Sequence, residues 1–430
     1  MKKRNVRLGL WFAVLTVAST QISAQSFSIR WTNAHIVREI GLFGYVVYEG
    51  VTHALAQFHH IDDVDPAPYR AFVQQRRARI DASVPARPAP QRRRNVVFLQ
   101  LESIDAVTVD ATLQGEPVMP FLRSLRERSI EFTYAIDQTS SGRSADAHVL
   151  ALTSQIPIHN EAIFTRYDLS KIPSLPRVLT DHGYHSISLE GYQGEFWRWK
   201  INHARLGVQE SFSMTELDRS DMLGWGISDR SIVAQAADRF TALPTPFFAH
   251  ILLLSHHHPF NFIRESQGGE DRGLLNDYLI GSRYTDGVIE LLFQRLEQAG
   301  LLEDTLVAVF SDHDSGATEE VAEHLGHPYH EGVEHERIAF FLYDGGRAET
   351  IDKPVGLQDL PVTILDALGI PAPPIFLGIP ARSPYADVLL PNGQRVTGLD
   401  AEGLPMLESI EVDMRILTQL AIDRPEDLNP

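Results

Sequence analysis

Short runs of almost wholly apolar residues recur along the chain, and the longest of them end in polar or ionisable groups. Residues 95–101 form one such run, which ends at Glu102, and residues 246–255 and 305–311 form two more. Runs of this length without alternation are typical of parallel strands buried on both faces. Shorter apolar runs at 187–189 and 339–343 predict two further strands.

Segments with helical spacing separate these runs. Residues 274–299 form a long amphipathic segment that Gly300 closes as a cap, and residues 119–128, 358–369 and 406–421 have shorter helical patterns. Strands that alternate with helices indicate an α/β fold in which helices flank a central, mostly parallel sheet.

Polar side chains cluster where the predicted strands end. Glu102 follows the first strand, the histidines 256–258 follow the second, and Asp312 and His313 follow the third. Ligands of open α/β sheets bind beyond the carboxyl ends of the strands. We therefore expect these three groups to meet at one edge of the sheet.

The first 24 residues have the layout of a secretory signal. Four basic residues within the first seven precede the apolar stretch 8–18, and small and polar residues follow up to Ala24. The apolar stretch is shorter than the ~20 residues of a membrane-spanning helix. Ile22 is an unfavourable third residue before the expected cut, so an uncleaved anchor is the alternative. Either form predicts a periplasmic or secreted protein.

Residues 25–94 form an N-terminal segment whose second half differs from the rest of the chain. Residues 65–94 contain five prolines and eight arginines, which favours a linker or an extended strap on the domain. A basic linker could also rest on an anionic membrane surface. We expect a catalytic domain over residues 95–372, and we expect residues 373–430 to complete its edge.

The composition excludes several classes of function. Among 430 residues, 43% are hydrophobic and 22% charged, which is ordinary for a globular protein. The absence of cysteine excludes disulfides, thiolate metal sites and cysteine nucleophiles. A formal net charge of -18 argues against a nucleic-acid partner. A bound metal ion could still attract a phosphate ester.

The predicted edge of the sheet can combine two carboxylates, an imidazole and a hydroxyl. Residues 139–147, TSSGRSADA, form a hydroxyl-rich turn that could open a helix at Ser144. With Glu102, Asp312 and His313, this hydroxyl would complete a divalent metal site of three oxygens and one nitrogen. Such a metal would activate the serine and polarise a phosphoryl oxygen. Taken singly, Ser144 could be a helix N-cap and Glu102 a strand-end carboxylate.

These residues lie in segments that resemble a known superfamily. Residues 278–314 are similar to the late helix and strand of the sulfatase-like alkaline phosphatase superfamily, in which this strand commonly ends in Ser-Asp-His-Gly. Residues 95–103 and 139–146 resemble one branch of it, the lipoteichoic acid synthases and phosphoglycerol transferases. The resemblance extends over residues 95–370 and implies an alkaline phosphatase-like fold.

The resemblance implies a metal centre and a nucleophile. Glu102, Asp312 and His313 match the metal ligands of that branch. Ser144 stands at the place of its threonine nucleophile and would be both the catalytic residue and the fourth ligand. The resemblance favours one Mn²⁺ ion, while the ligand types leave Mg²⁺ and Zn²⁺ open.

The resemblance also implies residues that face the substrate. His257 matches a substrate-side histidine and would protonate the leaving alcohol or bind the phosphoryl group. Trp197 matches a tryptophan near the substrate. Arg143 and Arg198 are candidates to pair with phosphate oxygens, although solvated arginines would explain them equally.

The chain departs from that branch at three positions. Asp314 stands where glycine commonly follows Asp-His, and it adds a negative charge beside the metal site. Glu190 stands where the synthases carry a second substrate histidine. Trp199 stands where they carry a substrate arginine. These departures put the synthases' substrate in doubt.

We therefore predict a metal-dependent enzyme that acts on a phosphate ester, free or linked to lipid or glycan, through a Ser144 intermediate. Water as acceptor would make it a phosphodiesterase, and an alcohol would make it a phosphoglycerol-type transferase. A sulfatase is an alternative, but the turn lacks the Cys/Ser-x-Pro-x-Arg pattern that formylglycine requires. A catalytically inactive binding protein is the other alternative, favoured by Asp314 and Glu190.

Overall fold

The computed structural model describes residues 61–84, 94–326, 337–401 and 403–429. The predicted secretory signal and most of the N-terminal segment therefore lie outside the described residues. Within the described ranges, no helix combines the length and the apolar character that crossing a bilayer requires.

A central sheet of eight strands organises the molecule. In chain order, β1 to β8 span Asn95–Leu101, Ile130–Phe132, His185–Glu190, Glu210–Phe212, Phe247–Leu252, Thr305–Ser311, Phe340–Asp344 and Glu349–Ile351. Their spatial order is β8-β2-β7-β6-β1-β5-β3-β4. Strands β6, β1, β5, β3 and β4 run parallel, whereas β7 runs antiparallel to β6 and to β2. The predicted α/β class with a mostly parallel sheet is confirmed.

Strand β1 lies near the centre of the sheet, between β6 and β5. All seven of its residues are buried. Val97 is in register with Ala249 of β5 and Val307 of β6. Phe98 packs into the hydrophobic core on one face of the sheet, and Leu99 packs into the core on the other. Two buried faces explain why this strand shows no alternation of polar and apolar residues.

Helices cover both faces of the sheet. In the described part of the chain, α1 to α12 span Ala67–Ser83, Pro120–Leu125, Ser144–Thr153, Ile163–Arg166, Leu175–Asp181, Trp199–Arg205, Asp229–Phe240, Phe262–Ser266, Leu274–Gln298, Thr318–Leu325, Asp359–Ala367 and Met414–Asp423. The long predicted helix at 274–299 corresponds to α9, and the one at 358–369 corresponds to α11. Both carry apolar faces that pack on the sheet.

The described part of the Pro/Arg-rich segment differs from the predicted linker or extended strap. Residues Ala67–Ser83 form the helix α1, whose Phe72 and Val73 join the hydrophobic core. Arg76 is buried and binds both the carboxylate and the backbone carbonyl of Asp387. The prolines at 66 and 68 fall at the start of the helix, where a missing N–H costs nothing.

The C-terminal region forms a small antiparallel sheet beside the main domain. Its strands β9, β10 and β11 span Val388–Leu389, Gln394–Leu399 and Pro405–Ser409. The predicted helix at 406–421 therefore begins too early, because its first residues pair with β10. Helix α12 begins after Asp413, whose carboxylate accepts the N–H of Arg415 at 2.9 Å and caps the helix.

Candidate active site

The carboxyl ends of four parallel strands meet around one cavity. Its volume is about 400 Å³. Glu102 follows β1, Glu190 ends β3, Leu254 follows β5 and His313 follows β6, and all four line the cavity. Parallel neighbours bring their carboxyl ends to the same edge, so residues far apart in sequence become adjacent.

Three of the predicted metal ligands form one buried group. Glu102, Asp312 and His313 each offer a ligand atom, and these atoms lie within 4.8 Å of one another. Burial, and next the charge of Asp312, raises the pKa of Glu102 well above its ordinary value. Burial also raises the pKa of Asp312. A divalent cation would offset this burial of negative charge, so the donor set fits a metal ion.

Backbone groups hold Asp312 in place. Its Oδ1 accepts the N–H of Ser103 at 3.0 Å and that of His313 at 2.9 Å. The backbone N–H of Asp312 donates to the carbonyl of Leu101 at 3.0 Å and ties β6 to β1. The second carboxylate oxygen, Oδ2, lies 3.4 Å from Nε2 of His313. One oxygen is thus used for structure, and the other faces the group of ligands.

The orientation of His313 presents Nε2 to the carboxylates. Its Nδ1 lies 2.7 Å from the backbone carbonyl of Asp314, which can only accept a hydrogen bond. Nδ1 also lies 3.0 Å from a guanidinium nitrogen of Arg143, so this ring nitrogen is engaged away from the carboxylates and Nε2 is the one that can serve as a metal ligand. Nε2 lies 3.7 Å from Oε1 of Glu102. Burial, and next the charge of Arg143, lowers the pKa of His313 well below its ordinary value, which keeps the ring neutral.

Ser144 is the first residue of α3, and its hydroxyl faces the same group. Its Oγ lies 3.5 Å from Nε2 of His313. Arg143, just before it, has a φ of 44°, a left-handed conformation that turns the chain sharply into the helix. The next three backbone N–H groups, those of residues 145–147, donate to the carbonyls of Gly142 and Arg143 at 2.9–3.1 Å.

A buried carboxylate shapes the turn that carries Ser144. Oδ2 of Asp146 accepts the N–H groups of Ser140 and Gly142, each at 2.9 Å. Burial raises the pKa of Asp146 to about 7, although both hydrogen bonds lower it. The turn is therefore closed by its own helix, two residues after the candidate nucleophile.

Asp314, the departure from the usual glycine, pairs with Arg143. The guanidinium donates to Oδ1 of Asp314 at 3.0 Å and to its backbone carbonyl at 2.8 Å. Burial raises the pKa of Asp314, but the charge of Arg143 and other contacts outweigh burial and lower it. The added negative charge beside the metal group is thus neutralised. Arg143 also lines the cavity, so it stays a candidate to contact phosphate.

The side chain of His257 contacts a backbone carbonyl and an aromatic ring. Its Nδ1 lies 2.9 Å from the backbone carbonyl of His258, so Nδ1 donates. Its ring lies against Trp225, with the ring centroids 4.0 Å apart. Burial lowers the pKa of His257. The side chain lines the cavity that Ser144 also lines.

Of the remaining predicted substrate residues, one lies at the cavity and one lies outside it. Trp197 lines the cavity. Arg198 is exposed, and its guanidinium bonds the carbonyl of Thr165 at 3.4 Å. Trp199 is buried and lines the cavity, as does His148.

Sequence reasoning missed three residues that shape the site: Asp146, Trp225 and His148. Asp146 had a signal, because an acidic residue two positions after a helix start often binds nearby N–H groups. No sequence pattern points to Trp225, since it lies 32 positions before His257. It stands in a short hairpin in which Met222–Leu223 pairs with Gly226–Ile227. His148 lies one helical turn after Ser144, so the periodicity of α3 places both on one face.

Comparison with known proteins identifies relatives along most of the chain. The relative "Lipoteichoic acid synthase-like YvgJ" of Bacillus subtilis is 24% identical over 384 residues, which are 84% of this chain and 61% of that protein. The lipoteichoic acid synthase of Staphylococcus aureus is 23% identical over 325 residues, 71% of this chain and 49% of its own length. The chain thus spans between about half and three fifths of these relatives.

Solved structures share the fold. The lipoteichoic acid synthase LtaP of Listeria monocytogenes superposes with a TM-score of 0.71 at 20% identity, over 84% of this chain and 99% of that one. A protein of the alkaline phosphatase superfamily from Vibrio parahaemolyticus gives a TM-score of 0.66 at 18% identity, over 86% and 98% of the two chains. The resemblance to the alkaline phosphatase superfamily is confirmed. Residues 94–370 match the family described as Sulfatase, and the chain belongs to that family.

Proposed function

We propose that this protein transfers or hydrolyses a phosphate ester through a covalent Ser144 intermediate, with the aid of one divalent metal ion. One observation carries the proposal. A helix-start hydroxyl, Ser144, faces the buried group Glu102, Asp312 and His313 at the wall of a single cavity. A hydroxyl beside such a group has the surroundings that a serine nucleophile requires.

The first half-reaction forms a phosphoseryl ester. When bound, a metal ion at Glu102, Asp312 and His313 would neutralise phosphoryl charge and lower the pKa of the serine hydroxyl. The Ser144 hydroxyl gives its proton to water, its oxygen bonds to phosphorus, and the bond from phosphorus to the leaving alcohol breaks. His257 in its protonated form gives the leaving oxygen its proton. Arg143, which lines the same cavity, can pair with a phosphoryl oxygen.

The second half-reaction releases the group. His257 is now neutral, with its proton on Nδ1 bound to the carbonyl of His258. Its Nε2 can accept the proton of an incoming water or alcohol as that oxygen bonds to phosphorus and Ser144 leaves as an alkoxide, which regains a proton from water. Water completes a hydrolysis, and an alcohol completes a transfer.

The relatives favour a phosphoglycerol-type ester as the substrate. Two of them are named lipoteichoic acid synthases, and one structural neighbour is a phosphoglycerol transferase solved with sn-glycerol-1-phosphate. We extend this to a phosphate ester linked to lipid or glycan, handled outside the cytoplasm. The basic and apolar layout of residues 1–24 supports that location. We propose Mn²⁺ as the metal because the resemblance favours it, since two carboxylates and one imidazole suit Mn²⁺, Mg²⁺ and Zn²⁺ alike.

The test measures hydrolysis of bis-p-nitrophenyl phosphate, p-nitrophenyl phosphate and p-nitrophenyl sulfate by the full chain, with and without added Mn²⁺. We expect Mn²⁺-dependent cleavage of the diester. Ser144→Ala should reduce turnover at least about 10³-fold, because the nucleophile is gone. Ser144→Thr should retain part of the activity, because threonine offers the same hydroxyl.

Other outcomes would replace the proposal. Activity that survives Ser144→Ala but falls in Ser141→Ala would move the nucleophile along the turn. Cleavage of the sulfate ester alone would establish a sulfatase. Metal binding by calorimetry without turnover of any ester would indicate a binding protein.

A further inference from the structure

Glu190 is a buried carboxylate that the proposed chemistry does not use. It ends β3, in register with Leu252 of β5, and its side chain is 7% exposed. It lines the same cavity as Ser144 and His257. Its carboxyl group therefore lies at the wall of the cavity, and Glu190 is not one of the three residues grouped as candidate metal ligands.

No other described side chain or backbone group compensates this carboxylate. Glu190 makes no hydrogen bond or ion pair through its side chain with the described residues, unlike Glu102, Asp312 and Asp146. Burial alone raises its pKa well above the ordinary value. An ionised carboxylate buried without a partner is costly, so this group is expected to ionise when a cationic ligand pairs with it.

Aromatic rings line the cavity together with Glu190. Phe196, Trp197 and Trp199 all contribute to its wall. Trp197 has a φ of 49° and Arg198 a φ of 56°, so two consecutive residues adopt a left-handed conformation that non-glycine residues rarely occupy. Strained backbone of this kind is often retained where it positions a functional side chain.

A carboxylate beside aromatic faces is the combination that binds organic cations. Aromatic rings attract an ammonium group through their negative faces, and a carboxylate supplies the balancing charge. A neutral alcohol gains little from either. The chemistry of this wall therefore distinguishes a cationic substrate from an uncharged one.

We propose that Glu190 and the aromatic rings that line the same cavity bind an ammonium group carried by the alcohol portion of the phosphate ester. This inference rests on the proposed function, because the phosphate of the same molecule would lie at Ser144. The transferred or released group is then an aminoalkyl phosphate. The alcohol portion would thus be charged, in place of the uncharged glycerol that the names of the relatives suggest.

The test compares ligand affinities in the full-length Ser144→Ala variant, which cannot turn the ester over. Calorimetry with added Mn²⁺ measures the Kd of 2-aminoethyl phosphate, propyl phosphate and glycerol 1-phosphate. We expect 2-aminoethyl phosphate to bind about 10-fold or more tightly than propyl phosphate, which has the same length without the charge.

Two further variants identify the source of the preference. In the Ser144→Ala background, Glu190→Gln keeps the shape and removes the charge, so the ratio of the two Kd values should fall to near one. The matched control is Glu195→Gln, which removes an equal charge from an exposed position five residues away and should keep the ratio. The melting temperature of each variant shows whether it is folded.

The ratio of the Kd values for propyl phosphate and 2-aminoethyl phosphate in the Ser144→Ala variant already tests the inference before Glu190 is substituted. Equal affinities for the aminoethyl and propyl esters, or tighter binding of glycerol 1-phosphate, would overturn it. Persistence of the preference in Glu190→Gln would overturn it as well. The protein that retains Ser144 could cleave bis-p-nitrophenyl phosphate while the Ser144→Ala variant binds 2-aminoethyl phosphate no more tightly than propyl phosphate. This inference then fails, and the proposed function stands.

Discussion

The carboxylates of Glu102 and Asp312 lie buried beside the neutral ring of His313, and their environment makes them costly for the folded protein. Burial raises the pKa of each carboxyl group, and the charge of Asp312 further raises that of Glu102. Such an arrangement favours whatever cation relieves it. The same side chains that would bind a metal ion should therefore destabilise the metal-free protein.

Glu102→Gln should separate these two effects. We expect the affinity for Mn²⁺ to fall at least about 10-fold, because a charged ligand becomes neutral. The metal-free variant should unfold at a higher temperature than the metal-free parent, because a buried carboxylate is removed. Calorimetry and thermal unfolding measure the two effects, and Glu303→Gln, at an exposed position, should change neither. Unchanged Mn²⁺ affinity would exclude Glu102 as a ligand.

At the scale of elements, the turn before α3 is closed by hydrogen bonds from its own helix. Asp146 accepts two N–H groups of the turn, and Gly142 lies against that carboxylate. A Cβ atom at position 142 would lie 2.1 Å from Oδ1 of Asp146. Glycine is therefore required by the close approach of the carboxylate to the backbone.

Gly142→Ala should displace the nucleophile without unfolding the protein. The added methyl group must push the carboxylate or the turn aside, at a cost of about 1–3 kcal/mol in unfolding free energy. Turnover of bis-p-nitrophenyl phosphate should fall by roughly 10²-fold, because a shift near 1 Å of a reacting group has this effect. Gly398→Ala is the control, since the nearest atom to its Cβ is 3.7 Å away. Normal turnover in Gly142→Ala would contradict this account of the turn.

A second carboxylate joins two helices and makes stability depend on pH. Asp286 of α9 accepts the N–H groups of Phe121 and Leu122 at 2.9 and 2.8 Å, at the start of α2. Burial raises its pKa to about 6, although these hydrogen bonds lower it. The folded protein thus holds the proton more tightly than the unfolded chain. The resulting stabilisation is complete below pH 3.8 and is lost as the pH rises through 6.

Asp286→Asn should remove this pH dependence. Between pH 5 and pH 7, the unfolding free energy of the parent should fall by about 1 kcal/mol relative to that of the variant. Urea unfolding at several pH values measures the difference. Asp238→Asn, at an exposed position of α7, should follow the parent. Parallel curves for the parent and Asp286→Asn would show that this carboxyl group does not titrate in that range.

At the scale of the whole molecule, α1 connects the segment before the catalytic domain to the C-terminal region. Arg76 binds the carboxylate and the carbonyl of Asp387, and it also donates to the carbonyl of Leu377. The side chains of Arg76 and Asp387 are 4% and 3% exposed. The domain boundary expected at residue 94 therefore does not separate α1 from the core.

Arg76→Ala should destabilise the whole domain. Loss of the guanidinium leaves Asp387 buried without its main partner, which costs about 3–5 kcal/mol. Arg77→Ala, next to it, removes an exposed pair with Asp81 and should cost less than about 0.5 kcal/mol. Chemical unfolding of both variants provides the comparison. Equal stabilities would show that α1 does not contribute to the folded core.

Much of the site was predictable because its residues follow apolar strands directly. The buried runs at 95–101 and 305–311 made the strands recognisable, and parallel packing requires their ends to lie at one edge. The meeting of Glu102, Asp312 and His313 follows from that rule. The helix α1 was not predictable in the same way, because five prolines and many arginines in 65–94 mask a helix whose apolar residues are few.

The sequence by itself determined the α/β class, the strand ends that carry ionisable groups and the family of this protein. These features depend on local periodicity and on residues adjacent to it. The pairing of Arg143 with Asp314, the packing of Trp225 on His257 and the isolation of Glu190 were decided only by the tertiary structure. Each depends on contacts between residues distant in the chain, and local pattern carries no information about which distant group lies opposite.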